Sequence, residues 1–179
     1  MGDPRRRRKK FTKPRHPWQK ERIEEETTLM NEYGFKNKKE LWKMESVLRN
    51  FSNQAKKLIA LKTSQAEKEK KQLLHKLQSL GLIEKTSQLE DILEISLKNL
   101  LDRRLQTLLF KKGFAKSINQ ARHFIVHGHV NVANNMITIP SYLVSKKEEE
   151  TVVFNPGSRL SDVKHPERVK EEKSQGKPR

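Results

Sequence analysis

Apolar residues recur at helical spacing from about residue 21 to residue 125 of this 179-residue chain, then switch to strand-like alternation. Residues 21–33 read as a helix that stops at Gly34. Asn37 is placed to cap a second helix, and Glu40 three residues later completes the pattern of a capping box. From there Leu41, Met44, Leu48, Phe51, Ala55 and Leu58 fall three or four apart, which makes one continuous apolar stripe. Lys38, Lys39, Lys43, Arg49, Lys56 and Lys57 lie mostly off that stripe, so the helix is expected to be buried on one side and cationic on part of the other. Residues 66–80 repeat the arrangement with Leu73, Leu74, Leu77 and Leu80, and Gly81 is a natural stop. Ser87 with Glu90 signals another helix start. Leu89, Ile92, Leu93, Leu97, Leu100 and Leu101 carry the pattern forward, with a break near Ser96. These helices are expected to pack as a bundle.

From residue 101 the pattern tightens. Leu101, Leu105, Leu108 and Leu109 mark the apolar side of a helix that ends at Gly113. Ser117 caps the next one, with Gln120 as its box partner, and Ala121, Phe124 and Ile125 face inward until Gly128. Val130 and Val132 then alternate with His129 and Asn131, as a half-buried strand requires. Asn134 and Asn135 suit a turn, because Asn tolerates positive φ. Residues 136–139 form the returning strand, Pro140 ends it, and residues 151–154 form a third. The expected fold class is α+β: an N-terminal helical region, then two helices against a short antiparallel sheet. The expected division is a basic extension over 1–22, a helical domain over 23–100, a small α+β domain over 101–158 and a charged tail over 159–179.

Charge changes the picture from fold to partner. The chain holds 39 Lys and Arg against 22 Asp and Glu, a formal net charge of +17. Solubility needs far less, and such a field attracts polyanions with salt-dependent affinity. Hydrophobic residues make up 33% of the chain, which permits one or two small cores rather than one large one. The absence of cysteine excludes disulfides, thiolate metal sites and cysteine nucleophiles. No run approaches the roughly 18 apolar residues of a membrane span. The basic N-terminus lacks the apolar stretch of a signal peptide. A cytoplasmic protein with no membrane partner is expected.

The candidate binding residues fall in two groups. Arg5, Arg6, Arg7, Arg8, Lys9 and Lys10 are consecutive cations, followed by Arg15 and His16, in a segment that Pro4, Pro14 and Pro17 keep out of regular structure. Trp18 in that setting needs either a core to enter or a base to stack on. The second group surrounds the paired helices. Arg103 and Arg104 open the first, Lys111, Lys112 and Lys116 flank the turn, and Ser117 offers a helix start with free N–H groups. Gln120, Arg122 and His123 lie largely off the apolar side of the second helix, and His127 and His129 mark its exit. A concave cationic surface for an RNA backbone fits this set. His123 and His127 are four apart, yet Phe124 stands where a zinc-protease motif needs Glu, so no metal is expected. Neither a phosphate-cradling glycine loop nor a nucleophile elbow is present, and residues 148–150 suit a polar turn or a basic neighbour. No cofactor, small-molecule substrate or enzymatic activity is expected.

The run Leu101-Asp102-Arg103-Arg104-Leu105, then Gln120-Ala121-Arg122, then Ile125-Val126-His127-Gly128-His129-Val130, resembles the S-four RNA-binding domain. His16-Pro17-Trp18, Tyr33-Gly34-Phe35, Lys38-Lys39-Glu40-Leu41-Trp42 and Pro140-Ser141-Tyr142 extend the likeness over residues 1–162, to the archaeal/eukaryotic branch of the small-subunit ribosomal protein S-four family. That resemblance implies that the two helices dock on ribosomal RNA, with Arg103, Arg104, Lys116, Gln120, Arg122, His127 and His129 on the motif positions. It implies a part in nucleating small-subunit assembly on the 5′ domain of the rRNA, contact with neighbouring small-subunit proteins, and an influence on decoding accuracy. The alternatives are a ribosome-rescue or stress factor with the same domain, an RNA-modifying enzyme that borrows it, and a protein-docking module. Arg104 and Arg122 are expected to be exposed, so that replacing both with Ala weakens rRNA binding and leaves stability nearly unchanged. Deleting residues 1–13 is expected to lower rRNA affinity and flatten its salt dependence, measured as the slope of log affinity on log salt; an unchanged slope would mean the arm does not touch RNA.

Overall fold

The structure is a computed structural model that describes residues 9–61, 63–84, 86–162 and 165–168; Arg5, Arg6, Arg7 and Arg8 lie outside the described residues. Helix α1 (Lys20–Tyr33) ends at Gly34, whose φ of 60° lets the chain reverse. Helix α2 (Lys38–Ala60) starts at Asn37, whose side chain accepts from the Glu40 N–H. Helix α3 (Ser64–Ser79) is capped by Thr63 and stops before Gly81, at φ 69°. The apolar stripe of α2 behaves as its spacing predicts: Leu41, Met44, Phe51 and Ala55 are buried, and Leu48 and Leu58 are partly so.

The helix expected after Ser87 does not form. The Ser87 hydroxyl accepts from Glu84 N–H, and the Asp91 carboxylate accepts from Gln88 N–H, so these residues close turns. A short 3₁₀ turn over Asp91–Glu94 follows. Its reason lies in the burial of Leu89, Ile92 and Ile95 against α2 and α3: these residues are three apart, the period of a 3₁₀ helix. Ser96 then caps α4 (Leu97–Asp102).

The helix expected from residue 101 is interrupted as well. After α4, Arg103 and Arg104 form a turn, and α5 (Leu105–Lys111) begins on a new axis. The turn is held from outside: Leu105 N–H donates to Tyr142 C=O at 2.8 Å, and Val144 N–H donates to Arg103 C=O at 3.0 Å. Helix α6 (Ile118–Val126) packs on α5, capped by Ser117. Strands β1 (Val130–Val132), β2 (Asn135–Met136) and β3 (Val153–Phe154) form an antiparallel sheet in the order β2-β1-β3, with α7 (Lys146–Glu150) before β3. The hairpin turn sits one residue earlier than expected. Ala133 and Asn134 have φ of 48° and 64°, and Asn135 is already paired with Val132. Two positive-φ residues give the turn that matches strand twist. Ala carries the strained position, where its N–H donates to the Thr151 hydroxyl.

Two apolar cores flank the α2–α3 helices. Phe51, Ala55, Leu73, Leu77, Leu89, Ile92 and Ile95 form one; Tyr33, Phe35, Leu41, Met44, Leu100 and Leu101 form the next. A third gathers Leu105, Leu109, Phe124, Ile125, Val130, Val132 and Val144, with Leu160 closing it from beyond the last strand. Burying each such side chain is worth roughly 1.5–3 kcal/mol.

Between the second and third cores the contacts are polar. Arg104 is only 1% exposed. Its guanidinium lies 4.7 Å from the centre of the Phe35 ring and donates to Glu40 Oε2 at 3.1 Å. Arg122 donates to both Glu40 oxygens, at 2.7 and 3.1 Å. Gln106, fully buried, donates through Nε2 to the carbonyls of Gly34 and Ile118 at 3.1 Å and accepts from Arg122 at 3.4 Å. The expectation that Arg104 and Arg122 are exposed is therefore corrected: one is buried, the other half-buried, and both are bound to Glu40. Their double Ala variant would unfold a junction rather than probe RNA alone. Gly34 completes the junction, since a Cβ there would stand 2.1 Å from Ile118 Cγ2.

Burial pushes the Glu40 carboxyl up, but the hydrogen bonds and charges of Arg122 and Arg104 outweigh it and hold the group below its ordinary 4.5. A depressed folded-state pKa means that this stabilisation is present above 4.5 and is lost as pH falls through the lower folded value. Glu40→Ala should cost about 3–5 kcal/mol in urea unfolding at pH 7, because Arg104 is left buried without a counter-charge. Glu40→Gln should be destabilised at pH 7 and converge on the parent protein as pH drops below 4.5. A gap that stays constant with pH would show that the Glu40 charge is not what holds the two regions.

Candidate nucleic-acid interface

Ser117 fixes where α6 begins, its hydroxyl accepting from Gln120 N–H at 3.2 Å. The Gln120 side chain does not close the capping box on Ser117. Its Oε1 accepts from the preceding Lys116 N–H at 2.7 Å. Gly113 at φ 75° turns the chain from α5 into this start, and Phe114 N–H returns to Leu109 C=O. The α5–α6 turn therefore presents Lys111, Lys112, Lys116 and Ser117, all exposed. Lys111 Nζ stands 2.8 Å from Asp102, and Lys112 donates to the Glu149 carbonyl.

Along α6 the inner side is Ala121, Phe124 and Ile125, and the outer side carries imidazoles. His123 and His127, one turn apart and both exposed, stack with centroids 4.9 Å apart and planes 10° from parallel. His129, past the buried Gly128, lies 6.2 Å from His127, and its Nδ1 is 2.7 Å from the Ser158 hydroxyl. Burial, then the nearby His127, pushes the His129 ring below its ordinary pKa. These rings, with Asn119, Gln120 and Glu167, line an open groove of about 320 Å³. No group of metal-ligating side chains occurs among the described residues.

The segment 165–168 lies against the same face. Lys116 Nζ donates to Pro166 C=O and Gln120 Nε2 to Glu167 C=O, both at 3.1 Å, while the Arg168 guanidinium sits 4.7 Å from the centre of the Phe154 ring. Such contacts to backbone carbonyls leave Lys116 its full charge, and a phosphate is a stronger acceptor for it than an amide carbonyl.

The structure thus divides the residues singled out from sequence. Lys111, Lys112, Lys116 and Ser117 are exposed on the α5–α6 turn, and His123 and His127 are exposed on α6 beside the half-buried Gln120 and His129. Arg103 is partly buried: it donates to Glu149 Oε2 at 2.8 Å and to Val144 C=O at 3.1 Å, beside the Glu149 carbonyl that Lys112 reaches, so residues 148–150 do meet a basic neighbour. Lys9, Lys10, Arg15, His16 and Trp18 are exposed on the segment that leads into α1. Glu40 and Gln106 were not legible as partners of this domain. The one signal was Arg104 itself, four residues after Leu100 and four before Leu108, on the apolar side of the pattern.

Residues 103–150 match the family model of the S4 domain. Over 170 residues the chain is 49% identical to the small ribosomal subunit protein uS4 of Methanococcus aeolicus, covering 94% of this chain and 96% of that one. The protein of the same name from Methanococcus maripaludis is 48% identical over 170 residues, with 94% and 96% covered. That from Ignicoccus hospitalis is 46% identical over 158 residues, with 88% and 95% covered. Identity of this extent over both the helical region and the α5–α6 unit, rather than over the RNA-binding domain alone, means that the chain belongs to the family of small ribosomal subunit protein uS4.

Proposed function

We propose that this chain is a structural rRNA-binding protein of the small ribosomal subunit. In this reading it binds a multi-helix junction in the 5′ domain of the rRNA, nucleates assembly there and contributes to translational accuracy. The observation that carries it is the exposed surface from Lys111 to His127 on a domain of the S4 type, in a chain that aligns nearly end to end with small-subunit proteins. That end-to-end alignment also favours a resident subunit over a free rescue or stress factor. The protein acts without catalysis, at the ribosome in the cytoplasm, with rRNA and neighbouring small-subunit proteins as partners. No helix among the described residues is long and apolar enough to cross a membrane.

The mechanism follows from which groups are rigid. Helix α6 is fixed by its cap and by the Glu40 junction, so its outer surface meets RNA in one orientation. Phosphate contacts from Lys111, Lys112 and Lys116 set position, and the basic segment over 1–22 adds charge neutralisation. The division into that extension, a helical domain, an RNA-binding domain and a tail is then functional: the middle two set geometry, the ends add affinity.

Binding to a 5′-domain small-subunit rRNA fragment, against an equal-length duplex across a salt series, tests this. A preference for the junction RNA that persists at moderate salt is expected; equal affinities that vanish together would overturn it. Lys111→Gln with Lys116→Gln should weaken binding and lower the salt slope by about one for each phosphate no longer neutralised.

A further inference from the structure

Trp18 is 91% exposed, the most exposed large apolar side chain among the described residues. Of the two fates its sequence setting allowed, burial in a core is excluded. The exposure is also not that of a loose end. Immediately before it, the segment is fastened at both sides. Thr12 N–H donates to the Ser46 hydroxyl at 3.0 Å, and the Phe11 ring sits 6.1 Å from the Trp42 ring, both on α2. Arg22 of α1 donates to the carbonyls of His16 and Pro17, at 3.1 and 2.8 Å.

Arg22 is itself held. It pairs with Glu26, which is 3% exposed. Trp42 Nε1 donates to Glu26 Oε1 at 2.9 Å, and Lys38 Nζ lies 3.0 Å from Oε2. Burial pushes the Glu26 carboxyl up, but the Trp42, Lys38 and Arg22 hydrogen bonds prevail and keep it below its ordinary value. A buried, ionised carboxylate thus anchors an arginine, and the arginine anchors the two carbonyls before Trp18. Residue 18 is presented outward from a rigid mount.

We propose that Trp18 is a stacking platform for an unpaired nucleobase of the RNA. This rests on the rRNA-binding reading above and adds a residue and a ligand class to it. Charge selects the partner. Residues 9–20 contain Lys9, Lys10, Lys13, Arg15 and Lys20 and no acidic residue. A groove of about 400 Å³ that Pro17, next to Trp18, helps to line carries Lys13, Lys38 and Lys39, and its one carboxylate, Glu26, is already paired with Arg22 and Lys38. An exposed indole on a cationic segment suits a base flanked by phosphates, and a protein pocket for it would have to tolerate that charge. A helical duplex offers no free base face, so the contact discriminates for unpaired RNA. Arg22 is a positioning residue in this scheme.

The test uses the full chain with 5-fluorotryptophan at both tryptophans, the same 5′-domain rRNA fragment and the same duplex. Trp18→Phe assigns the fluorine line of Trp18 against that of Trp42. Addition of the junction RNA should move the Trp18 line upfield. Trp18→Ala should lower affinity for that RNA roughly tenfold, the scale of one base–aromatic stack, with the salt slope unchanged because no charge is removed. Trp18→Phe should keep most of the affinity, and thermal melting should be unaltered in both. If the parent protein prefers the junction RNA but Trp18→Ala binds it equally well and the line does not move, the proposal falls and the rRNA reading stands. An equal drop in affinity for the duplex would also overturn it. So would normal RNA binding by Trp18→Ala combined with failure to recruit neighbouring small-subunit proteins, which would assign the indole to a protein pocket. No preference by the parent protein would remove the rRNA reading and this proposal together.

Discussion

One carboxylate decides how the two halves of this protein sit against each other. Glu40, at the first turn of α2, accepts from Arg104 at the start of α5 and from Arg122 on α6. Three separate elements meet there, and the alternative for Arg104 is a guanidinium buried with no counter-charge, which no apolar contact offsets. The surface on α6 has a defined direction relative to the helical region because this pair cannot rotate without breaking. Gln106 reinforces the direction: from one side chain it bonds the carbonyl of Gly34, before α2, and that of Ile118, in α6.

The same solution occurs a second time at Glu26, in a chain of net charge +17. Both carboxylates gather more than one cation: Glu40 takes two arginines, and Glu26 takes Arg22, Lys38 and the Trp42 indole N–H. Arg122 meets Glu40 with two bonds, as its planar fork allows, and a guanidinium carries a weaker hydration shell than an ammonium, which suits Arg104 and Arg22 to their inner places. The groups left outside on the α5–α6 turn are lysines and histidines. Around Glu40 and α6, packing has therefore turned the arginine forks inward to hold the frame and left point charges and imidazoles outward.

This sorting also marks the limit of what the linear chain disclosed. Caps and stops were legible, because Asn37, Ser117 and the glycines at 34, 81 and 128 act on their own neighbours. The apolar stripe of α2 was legible for the same reason. Partners 64 and 82 residues away were not, so Glu40 read as half of a capping box while its side chain in fact reaches Arg104 and Arg122. The S-x-x-E pattern at Ser87 misled in the opposite sense. It is a local signal overruled by the burial of Leu89, Ile92 and Ile95 against α2 and α3, around a 3₁₀ turn over Asp91–Glu94. The hairpin moved by one residue because the register is set by Val130 and Val132 pointing into the core, which leaves Ala133 to accept a positive φ that Asn135 would have taken more easily.

For binding, the consequence is that Arg104 and Arg122 of the S-four-like motif are held by Glu40 rather than turned outward. A motif position that holds the frame and one that touches a phosphate are both constrained, and sequence alone does not separate them. Exposure does. Arg104 and Arg122 act by fixing α6, while Lys116, His123 and His127 stand where a backbone can reach them. The 165–168 segment lies on that same surface through two carbonyl contacts that a phosphate can replace without leaving a buried group unpaired, since Lys116 is exposed. Rigid placement with exchangeable contacts is what shape-specific recognition of an RNA junction requires. The frame supplies orientation before binding, so the ordering cost at the interface falls on side chains rather than on the fold.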